Sequence, residues 1–147
     1  MNKRTNIEQY LKEQGSLTYT FKGKSMNPML KQGRDLFTIV PKKSERCKRF
    51  DVVMYRRPGG PQYVLHRIID VRDTDYVIMG DNCINKEYGI GDEDIIGVMT
   101  SFMRKGKVID VSNPGYRLYV SLWMVIHPML IMLVKIKKIV TRGLKNA

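Results

Sequence analysis

The sequence changes character at Asn113-Pro114-Gly115, and that break constrains what each side of it can fold into. Before it, from about Thr18 to Val111, short runs rich in β-branched and aromatic residues alternate with turn residues. After it, residues 118–134 read LYVSLWMVIHPMLIMLV, seventeen positions without Lys, Arg, Asp or Glu. The first pattern suits strands and the second a helix, so two different architectures are expected in succession.

The strand-like runs are Thr18–Phe21, Asp35–Val40, Asp51–Tyr55, Tyr63–Val71, Tyr76–Met79, Ile95–Met99 and Lys107–Val111. Pro58-Gly59-Gly60-Pro61 and Asp73-Thr74-Asp75 supply turns between them. Few helical patterns intervene, which predicts a mainly β fold: a small antiparallel β-barrel or folded sheet with a C-terminal apolar helix. A chain of 147 residues is large enough for one core without disulfide or metal staples. Cys47 and Cys83 lack the density of a disulfide framework and the spacing of a zinc site, and read as free thiols. Residues 1–16 are too polar for the apolar stretch of a secretory signal, and suit a short helix with Asn6 near its start and Gly15 past its end. The expected parts are therefore 1–16, 17–112 and 113–147.

The net charge of +12 favours anionic partners, either nucleic acid or an acidic membrane surface. The basic residues are scattered, with local clusters at Lys42-Lys43, Arg46–Arg49 and Lys135–Lys138, and no recognition helix, RNA-binding signature or zinc finger accompanies them. No nucleic acid is expected, and anionic membrane lipid is. The charge-free run is at the lower limit for crossing a bilayer, Pro128 interrupts it, and Arg117 and five later cations flank it. Tyr119 and Trp123 favour a membrane interface. A buried core helix, an in-plane anchor and a short transmembrane helix all fit the run. A helix apolar on every face is unusual inside so small a domain, so membrane association, at the cell membrane, is the expectation. If the run spans, its trailing cations place the C-terminus in the cytoplasm and the β domain outside; an in-plane anchor leaves the domain cytoplasmic.

Ser25 lies in the turn-like stretch Gly23-Lys24-Ser25-Met26-Asn27-Pro28, and His66 follows Tyr63-Val64-Leu65. A serine hydroxyl needs a base to become a nucleophile, and an imidazole suits that role near neutral pH. Taken singly, the serine fits an ordinary turn and the histidine a core strand. Asp81, in Met79-Gly80-Asp81-Asn82, returns beside His66 if the intervening strands pair, and otherwise fits a common turn. A carboxylate there would hold the imidazole in one tautomer and stabilise its cation.

The ordered set GKSMNPML, RFDVVMYRRPGG, YVLHRIIDV and MGDN resembles the catalytic region of type I signal peptidases, over roughly residues 18–111. The histidine aligns this chain with that family's histidine-bearing branch. The resemblance implies Ser25 as nucleophile, His66 as general base, Asp81 as the orienting acid and no cofactor or metal. Three features depart from the pattern. Histidine-type members often have an aspartate six positions after the first acid; here Glu87 stands there, an alternative partner for His66. A serine common two places before the nucleophile is Gly23, which leaves the oxyanion to the Ser25 backbone N–H, alone or with a neighbouring donor. The apolar segment follows the catalytic region instead of preceding it.

The implied activity is a serine endopeptidase that cleaves a precursor protein or peptide near a membrane through an acyl-enzyme. Phe21, Met26 and Met29 are candidates to wall shallow pockets for small side chains, or alternatively belong to the core. Rival readings are a relative of the self-cleaving repressors, a dedicated cytoplasmic peptide-maturation protease, and a non-catalytic basic membrane-binding module.

Overall fold

The computed structural model describes residues 3–60 and 62–147. In chain order its elements are α1 (Lys3–Gln14), β1 (Leu17–Thr20), β2 (Leu36–Pro41), β3 (Val52–Arg56), β4 (Tyr63–Val71), β5 (Tyr76–Met79), β6 (Glu87–Ile90), β7 (Ile95–Arg104), β8 (Lys107–Asp110) and α2 (Pro114–Lys145), with a 3-10 turn at Asp92–Asp94. The mainly β fold with a C-terminal apolar helix is as the sequence predicts. All ladders are antiparallel, in the order β1-β2-β7-β3-β4-β5-β6, with β8 also on β7. The sheet is open, so of the two forms expected it is the folded sheet.

β7 organises the sheet. Its residues Gly97–Met103 pair with β2 on one edge, while β3 and β8 take successive parts of the other. Sequence pattern located only its first half, because Thr100–Arg104 lacks a continuous apolar run. β6 also escaped prediction: Glu-Tyr-Gly-Ile has weak strand propensity and is held by its pairing with β5. The expected turn at 58–61 is closed by the Gly60 N–H to Arg57 C=O bond at 3.0 Å; Pro61 lies outside the described residues.

Alternation along β3 and β4 sorts their side chains onto two faces. Val53 and Tyr55 fall on the face that joins Ile68, Tyr76, Ile78, Ile90 and Ile95 in one buried cluster. Burying each such side chain contributes about 1.5–3 kcal/mol. His66 sits opposite Val53 in the register and so shares this face. β4 pairs with β3 over Tyr63–Arg67 but with β5 only over Arg67–Val71. Residues 63–66 therefore have one edge outside either ladder, and His66 stands at its end.

α1 is closed by the residue after it, Gly15, whose N–H bonds Leu11 C=O at 3.0 Å. Leu11 is buried, and Glu8 bonds Arg56 and, at 2.9 Å, the Tyr63 hydroxyl, fixing the helix on β3 and β4. Cys47 and Cys83 are both free thiols.

The chain up to Asn113 forms one compact unit and Pro114–Ala147 another. All but the last two residues of the second form α2, a 32-residue helix about 48 Å long at 1.5 Å per residue. Pro114 opens it, where its missing N–H costs no helical bond, and Pro128 lies inside it. Ser121 and Thr141 return their hydroxyls to Arg117 and Lys137 carbonyls at 3.0 and 2.8 Å. Tyr116, Tyr119, Trp123 and His127 form a stacked column with centroid spacings of 6.3, 6.2 and 5.3 Å. By length and composition this helix can cross a membrane.

Candidate active site

Ser25 lies in the connection between β1 and β2, half-buried in a turn closed by the Asn27 N–H to Lys24 C=O bond at 3.1 Å. Met26, Met29 and Leu30 anchor that turn, at 0%, 1% and 0% exposure. The two methionines are therefore core residues and wall no surface pocket. Phe21, the third candidate, does line a groove, described below.

The Gly80-Asp81-Asn82 turn is packed directly on the serine segment. Asn82 N–H donates to the Ser25 carbonyl at 2.8 Å, and its side-chain amide reaches the Lys24 carbonyl at 3.2 Å. Gly80 has no room for a side chain: a Cβ there would lie 2.6 Å from the Ser25 carbonyl oxygen, 2.7 Å from Cys83 Sγ and 3.0 Å from His66 Cδ2. Those three contacts meet at one point. The fold thus brings the Ser25 backbone carbonyl, His66 and the acidic turn together from three separate stretches of chain, with imidazole Cδ2 against Gly80.

Asp81 is 1% exposed, and both of its carboxylate oxygens accept from Arg67, Nε and Nη2 each at 2.8 Å. Arg67 is itself fully buried and adds bonds to the Phe50 carbonyl at 3.0 Å and Met29 Sδ at 3.4 Å. This pair links β4, the Gly80 turn, the entry to β3 and the serine turn. Arg67 was not singled out in the sequence, although strand alternation places it on the face opposite to that of its neighbour His66.

The hydrogen bond on His66 Nδ1 goes to Tyr55 Oη at 3.2 Å. The Tyr55 hydroxyl also bonds the Glu87 carboxylate, which is held in turn by Arg57, through Nε at 2.8 Å and through Nη2. Of the two acids weighed in the sequence, Asp81 is the one committed to Arg67 and Glu87 is the one on the Nδ1 side of the imidazole. Tyr55 and Arg57 were not anticipated. A two-residue spacing from Val53, the partner of His66, is the signal that marks Tyr55 as a same-face diagonal neighbour, and it becomes readable only with the register known.

Burial lowers the His66 pKa to about 4, against an opposing pull from Glu87. The imidazole is therefore neutral at pH 7, the form that accepts a proton. Burial on its own would raise the Glu87 pKa, but hydrogen bonds from Arg57 and Tyr55 bring it below the usual carboxylate range. Burial and the bond to Glu87 push the Tyr55 phenol far up, so it stays protonated.

Gly23 has φ +89°, a conformation that suits glycine and strains a serine. Its N–H is held by Gln32 Oε1 at 2.6 Å. A groove of about 160 Å³ runs between Thr20 and Phe21 on one side and Met54, Tyr63 and Leu65 on the other. No protein-family model matches this chain, and no curated protein matches it either.

Two outcomes are expected. Asp81→Asn leaves Arg67 buried without its counter-charge and should cost about 3–5 kcal/mol in urea unfolding, whereas the double replacement Arg67→Met/Asp81→Leu should recover most of the loss. His66 titrates near 4 in the fold and near 6.5 when unfolded, so between those values the unfolded chain binds the extra proton. Its contribution to stability is fully present above pH 6.5 and is lost as pH falls toward 4. Unfolding of wild type and His66→Gln, compared from pH 7 to 4.5, should show the steeper acid loss in wild type.

Proposed function

We propose that this chain is a serine endopeptidase of the signal-peptidase type, carried at a membrane by α2. The observation that supports the reading most is the meeting of the Ser25 turn, the Gly80 turn and the His66 ring at one point, with the imidazole neutral. In this reading His66 Nε2 takes the proton of Ser25 Oγ as the oxygen attacks the scissile carbonyl. The same proton goes to the leaving amine, and an acyl-enzyme remains. Water then attacks that ester with His66 again as base. The Ser25 backbone N–H is the oxyanion donor of this scheme. Asp81 serves through Arg67, by fixing the Gly80 turn and β4 against the serine.

The substrate is read as an extended segment of a precursor protein or peptide. β1 is an edge strand whose chain continues to Ser25, and residues 63–66 of β4 keep one edge outside the ladders up to His66. The apolar groove lies between these two elements. A peptide added there as a strand uses backbone hydrogen bonds for affinity and the groove for side-chain selection.

The membrane reading rests on the uninterrupted helix Pro114–Lys145, long and apolar enough to cross a bilayer, on which Leu118, Leu122, Val125, Met129 and Leu133 are exposed. Its charge-free seventeen residues span about 26 Å, short of a ~30 Å hydrocarbon core, and Arg117 and Lys135 at its ends can snorkel across the difference. With the cations after it held in the cytoplasm, the β domain faces outward.

With lipid and a panel of precursor peptides, wild type should cleave and Ser25→Ala should lose at least about a thousandfold in kcat. Equal turnover by both would remove Ser25 as nucleophile, and none by either would favour a non-catalytic membrane module. Because His66 is neutral well below pH 6.5, the acid limb of kcat/KM should lie under that value. For topology, Cys47 is buried and Cys83 borders the site, so a new thiol at the exposed Val108 is the better reporter. Val108→Cys should react with a membrane-impermeant maleimide on intact cells. Labelling only after lysis would place the domain inside.

A further inference from the structure

We infer that Tyr55 is a positioning residue for His66: it couples the imidazole to Glu87 and fixes which ring nitrogen faces the serine. The inference rests on the serine-peptidase reading above and names the part of that site which holds the base.

The argument is one of proton counting. A phenol has one proton to donate, and the Tyr55 hydroxyl donates it to Glu87, which as a carboxylate can only accept. The Tyr55 oxygen keeps its lone pairs, so the 3.2 Å contact with His66 Nδ1 is made by a proton on that nitrogen. A neutral imidazole carries one proton. With Nδ1 occupied, Nε2 is left as the acceptor; the carbon bonded to it, Cδ2, lies against Gly80, on which the Ser25 carbonyl also packs. The same proton stays on Nδ1 when Nε2 receives the proton of Ser25, so none passes to Tyr55 or Glu87. The hydroxyl then supports the imidazolium, with the Glu87 charge behind it and Arg57 holding that carboxylate in place.

Packing alone does not account for the hydroxyl. Tyr55 is fully buried in the main apolar cluster, where phenylalanine would fill the same space. A buried phenol beside a half-buried carboxylate is costly unless each group is satisfied. Both are satisfied by a single chain of contacts that ends on the imidazole. The strand register enforces it: Tyr55 is the diagonal neighbour of His66 across β3 and β4, while Glu87 lies in one row with Ile78 and Ile68 on the same face. The charged and titratable groups around His66 are Glu87, Arg57, Asp81 with its partner Arg67, Tyr55 and Cys83.

The test uses Tyr55→Phe in the full chain, with thermal unfolding as the check on folding. With 15N-labelled histidine at pH 7, His66 in wild type should carry its proton on Nδ1, while His127 serves as an internal reference. Tyr55→Phe should shift part of that proton to Nε2. In peptide cleavage it should lower kcat at least about tenfold, leave KM within about twofold, and move the acid limb of the rate to lower pH. Glu87→Gln should act in the same direction, and Tyr55→Phe/Glu87→Gln should be no slower than the slower single variant. A wild-type His66 protonated on Nε2 would overturn the inference whether or not activity is found. So would an unchanged tautomer and pH profile in Tyr55→Phe, or fully additive losses in the double variant. Turnover that survives Ser25→Ala would instead overturn the peptidase reading, leaving the tautomer result to stand by itself.

Discussion

The buried ion pair between Arg67 and Asp81 is the interaction on which the arrangement of the site depends. Removing both charges from water costs several kcal/mol per ion, and a loose pair in that position would be a net loss. Here the geometry is bidentate, and the guanidinium's remaining donors reach Phe50 and Met29. The pair joins four stretches of chain that have no sequence proximity. Its worth is in specifying one arrangement: Asp81 cannot leave Arg67 without exposing an uncompensated charge, so the Gly80 turn stays pressed on the Ser25 carbonyl.

Strand alternation then divides the labour of adjacent residues. His66 and Arg67 are neighbours in the chain, yet they serve opposite faces of the sheet. Arg67 holds the scaffold; His66 meets Tyr55 and, through it, Glu87. A slip of one residue in the pairing of β3 with β4 would exchange these faces and destroy both functions together. The apolar cluster around Val53, Ile68 and Ile78 guards against it, because the same slip would turn that cluster toward the groove. Packing and site geometry are in this sense one constraint.

Burial also sets the electrostatics of His66. A solvent-exposed histidine is half protonated near pH 6.5, whereas here desolvation outweighs the attraction of Glu87 and keeps the ring neutral. The proposed positioning by Tyr55 resolves the conflict this creates. In the proposed peptidase the ring is uncharged at rest and takes up a charge in the transition state, and a hydroxyl backed by a carboxylate gives support that grows as the charge develops.

Much of this protein is legible in one dimension. The β-rich part and the apolar helix after Asn113 follow from local pattern, while Ser25, His66 and Asp81 stand out only through a motif order that resembles the signal peptidases. The free thiols and the glycine-dependent turns also follow locally, because propensity, turn chemistry and hydrophobic period act over a few neighbouring residues. The tertiary structure decided what depends on register and on contacts between distant strands. It assigned Asp81 to Arg67 and Glu87 to Tyr55, buried Met26 and Met29, and recruited Tyr55 and Arg57, which carry no signal in their own segments. Sequence distance does not encode which residues face one another across a sheet, and a hydrogen-bond partner is chosen by position within a few tenths of an ångström. The candidates were written in the chain; their partnerships were set by the fold.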